Sequence, residues 1–153
     1  MTLLLAFVAG LLAGLRSLTP PAVATWAAHL GWLKLPRSLA WMGSTPAVAL
    51  FTVLALVELV TDKLPNTPSR TAPPGLIARI LLGGLTGACV ATAGASGATV
   101  GALAGAFGGV VGCFGGYQAR TRLVKALGAP DFVVALLEDL VTLGGSLWIV
   151  SRF

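Results

Sequence analysis

The stretch Ala98–Tyr117, ATVGALAGAFGGVVGCFGGY, contains 20 residues and no charged side chain. An α-helix of that length spans about 30 Å, which matches the hydrocarbon core of a lipid bilayer. The whole chain has the same character: 56% of its 153 residues are apolar, 10% are charged, and the mean hydropathy is +0.92. A soluble domain has about a quarter of its residues charged. The sequence therefore predicts an all-α integral membrane protein.

Five further apolar stretches accompany this one along the chain. They are Leu3–Leu15, Ala22–Leu33, Ser44–Thr61, Leu76–Thr92 and Asp131–Val150. The first two are short, since 13 residues reach only about 20 Å, so they form two tilted spans, a re-entrant hairpin or one kinked helix. We predict five or six transmembrane or half-membrane helices in a single domain, 1–153, with a polar, proline-rich linker at 62–75.

Basic residues indicate which side of the membrane the connections face. We expect six of them at one surface, as anchors: Lys63, Arg70, Arg79, Arg120, Arg122 and Lys125. The opposite side carries chiefly Lys34, Arg37 and Arg152. The positive-inside rule places the larger group in the cytoplasm. The ten basic residues are spread over short connections, so the net charge of +5 does not indicate nucleic-acid binding.

An internal repeat links the two halves of the chain. VLALVE at Val53–Glu58 recurs as VVALLE at Val133–Glu138, 80 residues later, and these hold the only two glutamates. This pattern predicts a duplication with half-repeats 1–63 and 76–150. Two halves of three segments each would cross the membrane in opposite senses, the inverted 3+3 plan of many transporters. The alternative is that two helix ends converged on similar letters.

Four acidic residues are predicted at or near membrane depth. Glu58 and Asp62 share one helix face, because they are four residues apart, and Glu138 and Asp139 lie about two turns into the last helix. An ionised carboxylate in hydrocarbon costs several kcal/mol or more unless it is paired, hydrated or protonated. These acids therefore bind protons or cations in a shared cavity, pin helices together as ion pairs, or lie at the interface.

The segment RSLTPP at 16–21 is the second polar group. Thr19 can cap a helix that starts at Pro20, so free N–H groups and a positive helix end would face Arg16. Such a site suits an anion, a lipid phosphate or the carboxylate of Glu58 or Glu138. The other interpretation is a plain turn in which Arg16 serves as an ion-pair partner. Lys63 directly follows Asp62 and would neutralise it.

The fifth stretch repeats glycine at helical spacing, which predicts a glycine-zipper helix. Its packing residues are Gly97, Gly101, Gly105, Gly109, Gly112 and Gly116. Glycine at every fourth position gives a helix face without side chains, so a second backbone can approach closely. The partner is another helix of the same subunit or one across a dimer interface.

These residues favour a small transporter or channel, expected as a homodimer in the lipid bilayer. It would move a small ion, a proton or a proton-coupled solute, with Glu58, Asp62, Lys63, Glu138, Asp139 and Arg16 as its polar core. The alternative is a non-transporting scaffold or lipid-binding protein with the same charges in structural pairs. A lipid-modifying enzyme ranks third. We expect no cofactor, metal or catalytic residue, because the sequence has no nucleophile–His–acid set and no metal-ligand spacing.

Three motifs resemble a family of small bacterial inner-membrane proteins that is catalogued only as a domain of unknown function. They are AGLRSLTPPAVATWAAHLGWL at 13–33, ELVTDKLPNTPSRTAPPG at 58–75 and PDFVVALLEDLVTL at 130–143. The resemblance implies a multi-pass protein of the bacterial inner membrane. It marks as signature positions Glu58, Asp62, Lys63, Arg70, Glu138 and Asp139. Relatives often read GLNA where this chain reads GLRS, so the resemblance does not mark Arg16.

Overall fold

A computed structural model describes residues 1–62, 71–128 and 130–153 of the chain. This part forms six α-helices and a short 3₁₀-helix at Ala40–Gly43, with no strand. The α-helices are α1 (Thr2–Leu15), α2 (Thr19–His29), α3 (Thr45–Thr61), α4 (Pro73–Ala93), α5 (Ala98–Leu127) and α6 (Asp131–Val150). Helices α4, α5 and α6 are each long and apolar enough to cross a membrane, and α1 and α3 are shorter apolar helices. The predicted all-α membrane class is confirmed.

Proline sets the start of three helices. Pro46 lies in the first turn of α3, where the Ser44 hydroxyl accepts a hydrogen bond from the Ala47 N–H at 3.4 Å. Helix α4 begins at Pro73, and α2 carries two prolines in its first turn. Proline is tolerated there because the first N–H groups of a helix have no partner within it. The expected cap at Thr19 is wrong: α2 already includes Thr19, and its N-cap is Leu18.

Helices α1, α4 and α5 pack backbone to backbone through glycine. A Cβ atom on Gly105 would lie closer than 3.0 Å to the backbone of Gly83 in α4. A Cβ atom on Gly10 of α1 would also lie closer than 3.0 Å to the backbone of Gly105. Real Cβ atoms essentially never approach that closely. Close approach of backbones is how helices associate where both are surrounded by apolar groups. The glycine-rich sequence of α5 thus positions α1 inside the bundle.

The predicted glycine face of α5 is directed mainly at neighbours within the subunit. Gly101, Gly105 and Gly109 face α4, whereas Gly112 faces Leu11 of α1. The other two predicted packing glycines are Gly97 and Gly116. Gly116 is buried. Gly97 is exposed, and a Cβ atom there would have only the Val100 side chain within 4.0 Å. These intramolecular contacts occupy the surface that the sequence also offered to a second copy.

Contacts between helix ends show which ends of the bundle coincide. The Thr2 hydroxyl at the start of α1 donates to the Gly94 carbonyl at the end of α4, at 3.5 Å. A Cβ atom on Gly94 would also meet the Phe153 ring, so the carboxyl end of the chain lies there too. We call this the amino-terminal end of the bundle. Helices α4 and α6 begin at the opposite end.

Helices α1 and α2 form a hairpin. Leu12 of α1 lies against Gly145, whereas Thr2 lies close to Phe153, so α1 runs antiparallel to α6. Helix α2 runs the other way, because its end packs at Val150, close to the amino-terminal end. Of the three arrangements predicted for the short first stretches, one kinked helix is excluded. The start of α1 and the end of α2 both lie at the amino-terminal end of the bundle. The turn of the hairpin, residues 16–18, therefore lies inside the bundle.

Two substitutions within α5 test the glycine packing. Gly105→Ala would force the α4 backbone away from α5 and lower the unfolding free energy by about 1–3 kcal/mol, the usual cost of overpacking. Gly115→Ala is the matched control, because nothing lies within 4 Å of a Cβ atom at that position. Thermal unfolding in detergent should show a lower midpoint for Gly105→Ala only. Equal midpoints for the two variants would contradict the packing described here.

Candidate functional site

Arg16 lies at the turn between α1 and α2, and its side chain has no exposed surface. One guanidinium nitrogen contacts a carboxylate oxygen of Asp62, the residue that follows α3. A second nitrogen, Nη2, lies 2.6 Å from Oδ1 of Asp139 in α6. One buried cation therefore joins the hairpin turn to two other helices through carboxylates that are 18% and 16% exposed.

This network lies inside the ends of α4 and α6, whereas Asp62 directly follows the end of α3. Asp139 is eight residues after the start of α6, which places it about 12 Å along that helix. Arg79, six residues into α4, lies about 9 Å along its own helix. The Nε atom of Arg79 donates to the Gly14 carbonyl at 3.0 Å, and Asp139 contacts Arg16. Arg79, Asp139 and the hairpin turn therefore lie at a similar depth in the bundle. Charges at this depth of a membrane bundle need partners.

Glu58 closes the other side of the turn. Its Oε1 accepts hydrogen bonds from the Ser17 N–H at 2.8 Å and the Ser17 hydroxyl at 2.5 Å, and its Oε2 accepts one from the Leu18 N–H at 2.9 Å. Helix α2 has no side-chain cap of its own. The carboxylate therefore satisfies free N–H groups at the positive end of α2 from a different helix. Of the anions that the sequence analysis considered, the structure places Glu58 here.

Arg79 is buried within the bundle, whereas the sequence analysis expected an exposed anchor. Its side chain is buried in α4, where Nη1 also donates to the Gly75 carbonyl at 3.0 Å. With the bond to Gly14, it satisfies a carbonyl at the end of α1 that has no helical donor. Arg79 of α4 thus stabilises the hairpin at the end of α1. No signal in the sequence separates it from the loop cations.

Glu138 belongs to a second cluster. Its Oε2 lies 3.3 Å from Nη1 of Arg120 in α5, and the same guanidinium donates to Asp131 at 2.8 and 2.5 Å. Arg120 was expected as a surface anchor, but its side chain is only 16% exposed and is held between two carboxylates. This cluster links α5 to the first turns of α6.

The two glutamates have different partners, although Arg120, which binds Glu138, also interacts electrostatically with Asp62. A site shared by the two glutamates stays a prediction. Glu58 binds the hairpin turn and Glu138 binds Arg120, whereas the two aspartates Asp62 and Asp139 meet at Arg16. Neighbouring residues of a helix point about 100° apart, so Glu138 and Asp139 reach different partners. The contacts around Glu58 are not repeated around Glu138, and the duplication stays a prediction.

The other predicted site and anchor residues lie outside the described residues or at exposed positions. Lys63 and Arg70 lie outside the described residues, so their predicted roles stay predictions. Arg122 and Lys125 are exposed near the end of α5, as surface anchors would be. Sequence reasoning missed Ser17 as a ligand of Glu58. The two prolines after RSLT were the available signal, because they mark a helix start with free N–H groups nearby.

Comparison with known proteins gives a family without an activity. The sequence pattern of a domain of unknown function (DUF4126) matches residues 3–151, which is almost the entire chain. The chain belongs to this family. The resemblance drawn from the motifs is confirmed. No curated protein and no solved structure matches the chain. A function must therefore be argued from the Arg16 network itself.

Neutralising Arg16 tests whether the network holds the helices together. Arg16→Met would leave two carboxylates beside an apolar side chain and lower the unfolding free energy by about 3–5 kcal/mol, as breaking a buried pair does. Adding Asp62→Asn and Asp139→Asn removes the stranded charges and should recover most of this loss. Arg122→Met, at an exposed position, is the control. If Arg16→Met unfolds in detergent at the same temperature as Arg122→Met, the network is not structural.

Glu58→Gln tests the capping of α2. The amide retains one acceptor but turns an NH₂ group toward at least one of the donors on Ser17 and Leu18, so the unfolding free energy should fall by about 1–3 kcal/mol. Arg122→Gln is the control, since Arg122 is exposed near the end of α5. Hydrogen exchange should also show faster exchange at the Leu18 amide in Glu58→Gln. Unchanged exchange there would contradict the capping role.

Proposed function

We propose that this protein is a small multi-pass transporter or channel of the bacterial inner membrane. It would move protons or a small cation, or exchange a proton for a small solute. One observation carries the proposal: the fully buried Arg16 lies between Asp62 and Asp139 at the turn of a helix hairpin. Transporters commonly build their sites where helices are interrupted within the bundle.

The cost of burying these charges supports a functional role. A buried ion triad is often no more stabilising than apolar residues of the same volume, so packing alone does not require one. Within membrane bundles, ionisable side chains commonly mark ion paths and proton relays. The Arg16 triad joins three separate parts of the chain, so any change in its charge would act on their relative positions.

In the proposed mechanism, the Arg16 guanidinium occupies the place of a cation between two carboxylates. Protonation of Asp62 or Asp139 neutralises one arm of the bridge, and an arriving cation competes for the same oxygens. Either event weakens the attachment of α3 or α6 to the hairpin. The ligand would then shift the balance between two packings, because it favours the one in which Arg16 has released a carboxylate.

Glu58 would couple the same event to helix α2. It lies one helical turn before Asp62 on α3 and binds the hairpin through Ser17 and Leu18. When α3 moves relative to the hairpin, both attachments change together. The Glu138–Arg120 pair would keep α6 joined to α5 during this movement. An inverted repeat, if the halves share ancestry, would supply the matching movement at the other face.

The proposed orientation places the connection 62–72 and the end of α5 in the cytoplasm. Two of the six expected anchors, Arg79 and Arg120, are engaged inside the bundle. The remaining cytoplasmic cations are Lys63, Arg70, Arg122 and Lys125, against Lys34, Arg37 and Arg152 on the other side. The positive-inside bias keeps its sign but is smaller than the sequence alone indicates.

We also propose a homodimer, since a chain of 153 residues barely encloses a path by itself. The interface would not use most of the glycine face of α5, because α1 and α4 already cover it. The outward surface of α5 is apolar and includes Leu103 and Phe107, both more than half exposed. In the monomer, this outward surface of α5 would contact lipid.

The second candidate function is a non-transporting scaffold, and one observation favours it. Both oxygens of Glu58 are bonded, and Arg16 is paired on two sides, so the described charges already have structural partners. A scaffold would lose stability when these charges are removed, would carry no flux, and would gain no protection from any solute.

Flux measurements in liposomes distinguish the two functions. The wild-type protein should carry a proton or cation flux above that of empty liposomes, and Asp62→Asn, Asp139→Asn and Glu58→Gln should change it at least several-fold. Glu138→Gln should have a smaller effect, because Glu138 does not contact Arg16. Arg122→Met is the control and should match the wild type, since Arg122 is exposed near the end of α5.

The stability of each variant is measured in parallel, so that unfolding is not mistaken for lost transport. Flux in the wild type at the level of empty liposomes, for protons and for small cations alike, would discard the transporter in favour of the scaffold.

A further inference from the structure

The buried polar side chains of the described ranges are of two kinds. Three are charged and belong to the network above: Arg16, Glu58 and Arg79. The other six are hydroxyl residues: Ser17, Thr19, Thr25, Thr86, Thr142 and Ser146. Hydroxyl groups both donate and accept hydrogen bonds, so a row of them can connect a charged site to a distant one.

One such row follows α6 from the Arg16 network. Asp139, Thr142 and Ser146 are spaced by three and four residues, so they lie on one face of the helix over about 10 Å. Thr142 has no exposed surface and Ser146 is 4% exposed. The row leads from the carboxylate that contacts Arg16 toward the amino-terminal end of the bundle.

Ser146 lacks a hydrogen-bond partner for its Oγ among the described residues. A buried hydroxyl without a partner is costly, so a polar group is expected beside it. Ser146 lines a small cavity that is also bounded by Ala9 of α1, Pro20 of α2 and Thr86 of α4. The Thr86 hydroxyl donates to the Leu82 carbonyl at 2.8 Å, which leaves its oxygen free to accept a further bond.

The residues that line this cavity determine which ligand it can bind. Its remaining lining is apolar, from Val90, Ile149 and Val150. Ca²⁺ and Mg²⁺ take about six or more oxygen ligands, and two hydroxyls cannot supply them. A buried water needs only two to four polar partners and little more space than its own volume. A single water molecule fits the cavity better than an ion does.

We propose that this cavity binds a water molecule between Ser146 and Thr86, and that water, Ser146 and Thr142 carry protons to and from Asp139. The inference rests on the proposed function and narrows its substrate to the proton. The Thr142 hydroxyl donates to the Glu138 carbonyl at 2.7 Å, so a transfer begins when this hydroxyl rotates away from that carbonyl. Thr142 would then accept a proton from Ser146 and release its own proton to Asp139, while Ser146 takes a proton from the water. The Asp139 carboxylate would be the final acceptor, and its protonation would release one arm of Arg16.

The water site is tested without any transport measurement. Magnetisation transfer from water to the protein, measured by NMR in nanodiscs, should reach the Ser146 and Thr86 groups of the full-length protein. Ser146→Ala and Thr86→Val should weaken that transfer. Thr25→Val is the matched control, because Thr25 is equally buried but does not line the cavity. Absence of transfer at Ser146 in the wild type would overturn the water site.

The proton path is tested by selectivity in liposomes. The wild type should carry protons and neither Na⁺ nor K⁺. Ser146→Ala and Thr86→Val should lower the proton flux about tenfold, the order expected for one lost hydrogen bond on the path, while Thr25→Val leaves it unchanged.

The outcomes separate this inference from the proposed function. Flux of Na⁺ or K⁺ that depends on Asp62 would keep the transporter and overturn the proton path, and so would a proton flux unaffected by Ser146→Ala and Thr86→Val. No flux of any ion would overturn the proposed function and the path together, and the NMR result would then decide the water site alone.

Discussion

A guanidinium that has no access to water must be balanced by its neighbours, and most of the arrangement around Arg16 meets this requirement. Two carboxylates, Asp62 and Asp139, come from helices far apart in sequence and meet at the same buried cation. Removing Arg16 would leave two uncompensated carboxylates inside the bundle, at a cost of several kcal/mol. The Arg16 side chain therefore helps to position α6 relative to the hairpin, and it positions α3 together with Glu58.

The glycines make this placement attainable. Arg16 reaches the interior because α1 lies within contact distance of the α4 and α5 backbones, and larger residues at Gly10 or Gly112 would hold it outside. Close packing brings Gly14 next to Arg79, which satisfies a carbonyl at the end of α1. Apolar packing and buried charge thus act together here. The first sets the distance between helices, and the second sets the register of the hairpin turn.

Sequence reasoning identified most members of the site but not their pairing. Depth could be predicted, because long apolar runs surround Glu58 and Asp139 and leave few places for a charge. Partners could not, because a carboxylate and a guanidinium in different helices carry no signal of mutual distance. The repeated glutamates drew attention to Glu58 and Glu138 as a pair, whereas adjacent positions on α6 point in different directions and made Asp139 the partner of Arg16.

Composition and periodicity by themselves determined that the chain is a helical membrane protein, since uncharged runs of about 20 residues have few other stable states. They also determined where α3 starts, through Ser44 and Pro46, and that α5 would pack closely. Helices α2 and α4 start at Thr19 and Pro73, earlier than the sequence predicted. Only the tertiary structure decided that α1 and α2 form a hairpin, that Glu58 caps α2, and that Arg79 is buried. These features depend on contacts between segments more than 40 residues apart, and local sequence carries no record of such distances.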